Sequence, residues 1–454
     1  MMNAKPAAKA YFGTDGIRGS WSDDVINTAF ARHFGIALGA FLKQRNPDRP
    51  AVVYIGRDTR NSGTALSQAI RDGLSSADAF VCDLGVIPTP AVALVTSCQC
   101  ADMGIMVTAS HNPAEDNGYK VFGPGGLKLT RADEIEIERF INSSNPSSAV
   151  EKKVRDHTFN GLAYYINFMR SMLNEGCLNG RRMVVDLANG ATTSTVAEVF
   201  SRWGGEIHYL GNQPDGDNIN SGVGSEHPQA LGEAVRQHKA EIGIAFDGDG
   251  DRVVIVDENG DVVAGEILLS LLARAESASK QLKKHTLVTT VHSNGGLDRA
   301  IAAFGGKTER TDVGDRNVLY RMRELGANMG GESSGHIIFA DLIPSGDGFL
   351  SAIKFIQLLL KSESSVAELA ASVKLFPQAE ASLKVKHKPP LDSLVHLPKA
   401  LKALDEKLLK AGGRVLVRYS GTEPKLRFLV EAEDLDTAQR ELAVLIEAAN
   451  KDLK

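Results

Sequence analysis

The chain is 454 residues long, with a formal net charge of -5, 24% charged and 43% hydrophobic residues. That profile is of an ordinary soluble globular protein; it excludes the basic field that nucleic-acid binding needs and holds no apolar run near the roughly 18 residues of a membrane span. The four cysteines, Cys82, Cys98, Cys100 and Cys177, make no CxxC pair and read as reduced structural thiols.

The opening MMNAKPAAKAYFG lacks the apolar core of a signal peptide, so a cytoplasmic location is expected. YFGTDGIRG follows and carries Arg18. An apolar strand from Ala51 (AVVYIGRDTR) then runs into a polar loop, an amphipathic helix (TALSQAIRDGL) and a second strand (AFVCDLG). Gly104–Val107 reads as a short buried strand that breaks into Thr108-Ala109-Ser110-His111-Asn112-Pro113, where the Asn-Pro pair forces a turn. Ser110 is thereby offered in a loop at a strand end, where chemistry tends to sit. Its hydroxyl has two catalytic uses: a nucleophile with His111 as base, or the carrier of a covalent phosphoryl group. Adjacent side chains on an extended backbone point to opposite sides, which argues against the pairing with His111. A turn serine beside a packing histidine is the plain alternative.

The same construction recurs twice. RMVVDLANGAT, STVAEVFSRWG and EIHYLG lead to AEIGIAFDGDGDR; HTLVTTVHSNGG, GLDRAIAAFG and KTERTDVG lead to ANMGGESSGH. Each echoes the segment that ends in the serine loop, and ligands of open α/β sheets gather outside strand ends. Three αβ units with their loops converging on one cleft are therefore expected.

In the second unit Asp247, Asp249 and Asp251 alternate with glycine between two strands. Three hard oxygen donors at one point suit Mg2+ or Ca2+ rather than zinc. Glu258 falls at the twelfth position of an EF-hand count, but Arg252 stands where that loop needs glycine and strands flank it. Three aspartates and a phosphorylated Ser110 carry about -5 together, more than one divalent ion offsets. Arg252, Arg18 and Lys120 are the candidates to supply the rest. In the third unit Glu332, Ser334 and His336 fall at alternating positions, on one face if the segment is extended. A carboxylate beside a hydroxyl can read sugar hydroxyls; a packed core histidine is the alternative for His336.

Beyond this, Pro377, Pro389, Pro390 and Pro398 mark a linker or domain edge. The tail reads helix, strand (Arg414–Tyr419), loop, strand (Leu426–Glu431) and helix (Leu435–Asn450). Its loop, RYSGTEPKLR from Arg418 to Arg427, combines guanidinium, hydroxyl and glycine groups suited to a phosphate monoester; a salt-bridged hairpin is the alternative. The expected class is α/β: three similar αβ domains with mixed sheets (1–155, 156–256, 257–372) and a smaller C-terminal α+β domain (373–454) around a central cleft.

Taken in chain order, TASHNP, DGDGDR, GESSGH and RYSGTEPKLR resemble the phosphoserine, metal, sugar and phosphate-binding loops of the α-D-phosphohexomutase superfamily, and the likeness covers essentially the whole chain from Tyr11. YFGTDGIRG, PDGDNINSGVGSEHP (Pro214–Pro228) and DVGDRNVL (Asp312–Leu319) are similar to its glucosamine-phosphate branch, whereas Thr108, Tyr119, Asn317 and Ser333 depart from that branch's usual residues. The resemblance implies a mutase: phospho-Ser110 phosphorylates a hexose monophosphate, and the bisphosphate turns over and returns its other phosphate. Glucosamine 6-phosphate and glucosamine 1-phosphate are the expected pair, feeding UDP-N-acetylglucosamine synthesis; mannose or glucose phosphates are the alternative. It further implies one Mg2+ on Ser110, Asp247, Asp249 and Asp251, and catalytic roles for Ser110, Arg18, His111, Lys120 and Arg252. Substrate binding falls to Glu332, Ser334, His336, Arg418, Ser420, Gly421, Thr422 and Arg427. The expected partners are hexose phosphates and bisphosphates, with neither nucleic acid nor membrane, in a monomer or homodimer whose last domain swings on the proline-rich linker. A metal-dependent phosphatase and a sugar-phosphate sensor without turnover are the rival functions.

Overall fold

The computed structural model describes residues 10–143, 155–411, 413–420 and 423–453. The three repeats share one local topology. In the first, strand Met103–Val107 runs parallel to Val52–Arg57 and antiparallel to Asp116–Gly123. In the second, Ile242–Phe246 runs parallel to Arg182–Asp186 and antiparallel to Val253–Val256. In the third, Met329–Gly331 runs parallel to Thr286–Thr290 and antiparallel to Ile337–Phe339. Each loop singled out in the sequence therefore joins a central strand to its antiparallel neighbour, at the same corner of a mixed sheet. The central strands are buried on every residue, as their unbroken apolar sequences require.

The first sheet packs on helix Thr28–Arg45, whose start is capped by Asn27 accepting from the Phe30 amide at 2.8 Å. That helix crosses Asn61–Ser75 at two glycines: a Cβ on Gly35 would lie 2.2 Å from the Ile70 carbonyl oxygen, and one on Gly73 2.2 Å from that of Arg32. Backbone contact so close fixes how both helices lie on the sheet that carries Ser110.

Residues up to Val291, with Glu309–Ala370, form one compact unit, and His292–Thr308 with Ala371–Lys454 a second. In the second unit Gln378–Lys384, Lys425–Glu431 and Arg414–Tyr419 make an antiparallel sheet in the order given. The proline-rich stretch expected to be a linker or domain edge begins six residues inside the second unit, which resumes at Ala371, and it is structured. Gln378–Lys384 pairs with Lys425–Glu431 over its whole length, and Pro398 sits in the first turn of helix Leu397–Ala411, where a missing N–H costs nothing. The segment lies inside a compact unit. Its alternation of exposed polar and less exposed residues was the overlooked strand signal. Asn294 and Gly295 belong to the same unit, with Asn294 donating to the Phe376 carbonyl at 2.9 Å and Gly295 to Glu431 at 2.7 Å.

Candidate active site

Ser110 lies in the loop three residues beyond the central strand of the first repeat, in the left-handed region at φ 54°, a conformation a non-glycine residue keeps only when its surroundings impose it. Its amide donates to Thr108 Oγ1 at 2.8 Å, and Thr108 Oγ1 donates to Asp58 Oδ2 at 2.7 Å. The Ser110 hydroxyl is buried and donates to Asp247 Oδ2 at 2.7 Å. His111 Nδ1 lies 3.4 Å from the Ser110 Oγ. The expectation that these neighbours diverge is thus corrected: it assumed extended backbone, and the left-handed turn folds the imidazole back toward the hydroxyl. Burial and then the Arg252 charge lower the pKa of His111, with Glu226 opposing.

Ligand oxygens of Asp247, Asp249 and Asp251 lie within 4.8 Å of one another, all buried. Burial, then the charges of Asp251 and Asp249, push the Asp247 carboxyl well above the usual range. Asp249 Oδ1 and Asp251 Oδ1 are buried without a hydrogen-bond partner. A buried cluster of three carboxylates with oxygens left without hydrogen bonds fits a cation's ligand set. Glu258 accepts the Ala367 amide at 3.1 Å instead of joining them, which closes the EF-hand alternative.

Lys120 Nζ lies 2.8 Å from Asp249 Oδ2, 2.7 Å from Asp251 Oδ2 and 3.3 Å from Asp15 Oδ2. Burial disfavours its charge, yet Asp15, Asp249 and Asp251 outweigh it and hold the ammonium pKa well above normal. From Lys120 the charges close a ring of alternating sign: Asp15, Lys128, Asp315, His336 and Asp251. Asp15 and Asp315 lie in the quoted segments YFGTDGIRG and DVGDRNVL but were given no role there, nor was Lys128, since only the fold makes the three neighbours. Arg18 pairs with Asp15, and Arg252 with Glu226 at 3.3 Å.

The third loop departs from expectation. Residues 332–336 form a tight turn, closed by Gly335 N to Glu332 O at 3.1 Å and Glu332 N to His336 O at 2.9 Å, so the three side chains do not share an extended face. Ser334 is exposed, Glu332 accepts the Gly314 amide at 3.0 Å, and His336 is buried between Asp251 and Asp315. Burial opposes the imidazolium, but those two carboxylates outweigh it and raise the pKa to about 9. Convergence of the loops holds at backbone level. Val253 N donates to Gly335 O at 3.1 Å, and a Cβ on Gly248 would lie 2.6 Å from the Ser110 carbonyl oxygen.

In the second unit Arg418 and Arg427 stand directly opposite across the strand pair, a like-charge pairing that is unfavourable without an anion. Arg427 donates to Glu423 at 2.9 Å, and Ser420 Oγ accepts the Glu423 amide at 3.2 Å. Gly421 and Thr422 lie outside the described residues. Burial, then Arg418, Arg414 and Arg427, lower the pKa of His292, so the positive field extends to a residue that went unremarked in the sequence.

The chain matches four family models in order: the phosphoglucomutase/phosphomannomutase α/β/α domain I over residues 9–147, domain II over 163–260, domain III over 264–376 and the C-terminal domain over 362–448. It belongs to the phosphoglucomutase/phosphomannomutase family, within the α-D-phosphohexomutases. Its relatives include proteins described as phosphoglucosamine mutase from Oceanobacillus iheyensis, 42% identical over 95% of this chain and 96% of the relative. Another, from Myxococcus xanthus, is 40% identical over 98% of both chains. Among solved structures, a phosphoglucomutase/phosphomannomutase family protein from Burkholderia thailandensis matches with a TM-score of 0.81 and 25% identity over 97% of each chain.

Proposed function

We propose that this protein is an isomerase that interconverts glucosamine 6-phosphate and glucosamine 1-phosphate, with Ser110 as the phosphoryl carrier. The observation that carries the reading is the buried Ser110 hydroxyl hydrogen-bonded to Asp247 within the three-carboxylate cluster. The choice of amino sugar follows the phosphoglucosamine mutases to which the chain is about 40% identical.

The Ser110 hydroxyl already donates to Asp247, and His111 Nδ1 stands 3.4 Å from the same Oγ. Ser110, Asp247, Asp249 and Asp251 would hold Mg2+, which suits hard oxygen donors and when bound offsets negative charge on a transferring phosphoryl group. Lys120, Arg252 and Arg18 keep positive charge among the carboxylates whatever the charge on Ser110. Glu332 and Ser334 contact sugar hydroxyls, and His336 holds Asp251 instead of reaching for the sugar. Arg418, Ser420, Gly421, Thr422 and Arg427 grip the phosphate that is not reacting. Such a division of labour accepts a substrate in two orientations, because a phosphate grip and quasi-equivalent hydroxyls survive a flip of the ring.

Turnover of glucosamine, glucose and mannose 6-phosphates by the purified protein tests the assignment, read by 31P NMR. Glucosamine 6-phosphate is expected to be converted fastest; glucose phosphate preferred by orders of magnitude would overturn the sugar, and net release of inorganic phosphate would overturn the mutase. Ser110→Ala is expected to lose about 10^3-fold or more in kcat and to show no added phosphate by intact mass after treatment with a hexose bisphosphate.

A further inference from the structure

Two donors from different repeats hold the same two carbonyl groups of the serine loop. Arg60 Nη2 donates to the carbonyls of Ser110 at 3.1 Å and Asn112 at 2.8 Å. Asn220 Nδ2 donates to the same oxygens at 2.9 and 3.0 Å. Arg60 also holds the Pro113 and Asp116 carbonyls through Nη1, so one guanidinium spans the loop from its serine to the next strand. Its side chain is 0% exposed and its charge is matched by Asp58, with Nε to Oδ2 at 2.9 Å. Asp58 closes the circuit by accepting from Thr108, which holds the Ser110 amide. Asn220 is itself left-handed, at φ 60°, and anchored by its amide to the Ala188 carbonyl at 2.8 Å.

We infer that Arg60 and Asn220 are positioning residues that clamp the serine loop, keeping Ser110 in its left-handed turn with Oγ on the Asp247 side of the site whether that oxygen is a free hydroxyl or carries a phosphoryl group. This rests on the mutase reading above. Two features argue for positioning over charge stabilisation. Arg60 is neutralised by Asp58, and every clamp bond ends on a main-chain carbonyl, leaving the Ser110 side chain unencumbered. A carrier that alternates between hydroxyl and phosphate monoester changes charge by nearly two units. Left alone, a left-handed serine would relax into a commoner conformation at one stage or the other. A small shift is enough to spoil transfer, since a misplacement of about 1 Å costs about 10^2-fold.

Asn220→Gly tests the clamp without backbone strain, because glycine adopts φ 60° freely; Asn220→Asp keeps the shape but turns an acceptor toward the carbonyls. Arg60→Lys keeps the charge and loses the planar fork. All three are expected to lower kcat about tenfold to a hundredfold, with KM for glucosamine 6-phosphate within about twofold of wild type and the unfolding midpoint retained for Asn220→Gly. Amide hydrogen exchange is expected to quicken in the 108–116 segment in the Asn220 variants. Wild-type kcat in both Asn220 variants, a loss confined to KM, or unchanged exchange in that segment would overturn the clamp. A wild-type protein inert toward every hexose phosphate would sink the mutase reading instead, while the exchange measurement still judges the clamp.

Discussion

The acidic cluster of the first unit and the arginine loop of the second handle charge in opposite ways. Around Ser110 the charges nearest the hydroxyl are buried and paired: Asp249 is 0% exposed and Lys120 2%, and six groups, of which only Asp15 at 26% and Asp315 at 13% are notably exposed, alternate in sign around a closed ring. In the second unit the Arg427 side chain is 48% exposed and its partner Glu423 40%, so that ion pair contributes little to stability and exchanges readily for a ligand. Buried charges cannot reorganise cheaply, which suits a site where a phosphoryl group must always meet the same geometry. Exposed arginines adapt, which suits the phosphate grip proposed for them.

The widest separation between the regions is expected from metal removal and from Asp251→Asn. Either should lower kcat by about 10^2-fold or more, measured on protein treated with chelator and then resupplied with Mg2+; full turnover under chelator would break the contrast at its buried end. Arg418→Ala or Arg427→Ala should instead raise KM about tenfold to a hundredfold with kcat little changed, as loss of charge-assisted phosphate bonds predicts. A fall in kcat with KM unmoved would show that the second region is not an adaptable grip.

The smallest effect is one of stability and concerns Asp347, buried in the first unit. It caps helix Gly348–Lys361 by accepting the Leu350 amide at 2.9 Å and accepts the Tyr165 hydroxyl at 2.9 Å. Burial raises its pKa from 3.8 to about 7. The folded state therefore holds this proton more tightly than the unfolded chain, and its stabilising contribution is complete below the unfolded pKa and lost as pH rises through about 7. Asp347→Asn imitates the protonated form, so its unfolding midpoint relative to wild type should climb between pH 4 and pH 8. A difference that stays flat with pH would show that this carboxylate is ionised without penalty.

Much of the site was legible because repetition exposed it. A serine, three aspartates and a Glu-Ser-His turn each follow the same alanine-glycine strand, and that echo gave their common position at a sheet corner before any coordinates. What stayed hidden depends on contacts between repeats. Asp15, Lys128 and Asp315 are distant in sequence and join only through the ring. Arg60 and Asn220 stand in loops that look merely polar, although GRDTR at the end of a sheet strand could have drawn notice on the strand-end rule alone.

The sequence by itself determined the three repeated units, the chemistry of their loops and the candidate serine among them, because periodicity and side-chain chemistry are local properties. Tertiary structure alone decided that Ser110 is left-handed and faces Asp247, that His336 is buried between carboxylates, and that the proline-rich stretch pairs as a strand. Those outcomes turn on burial and on contacts between segments distant in the chain, more than a hundred residues apart for Ser110, where the free energy of a charge or a carbonyl is set by neighbours the sequence does not place.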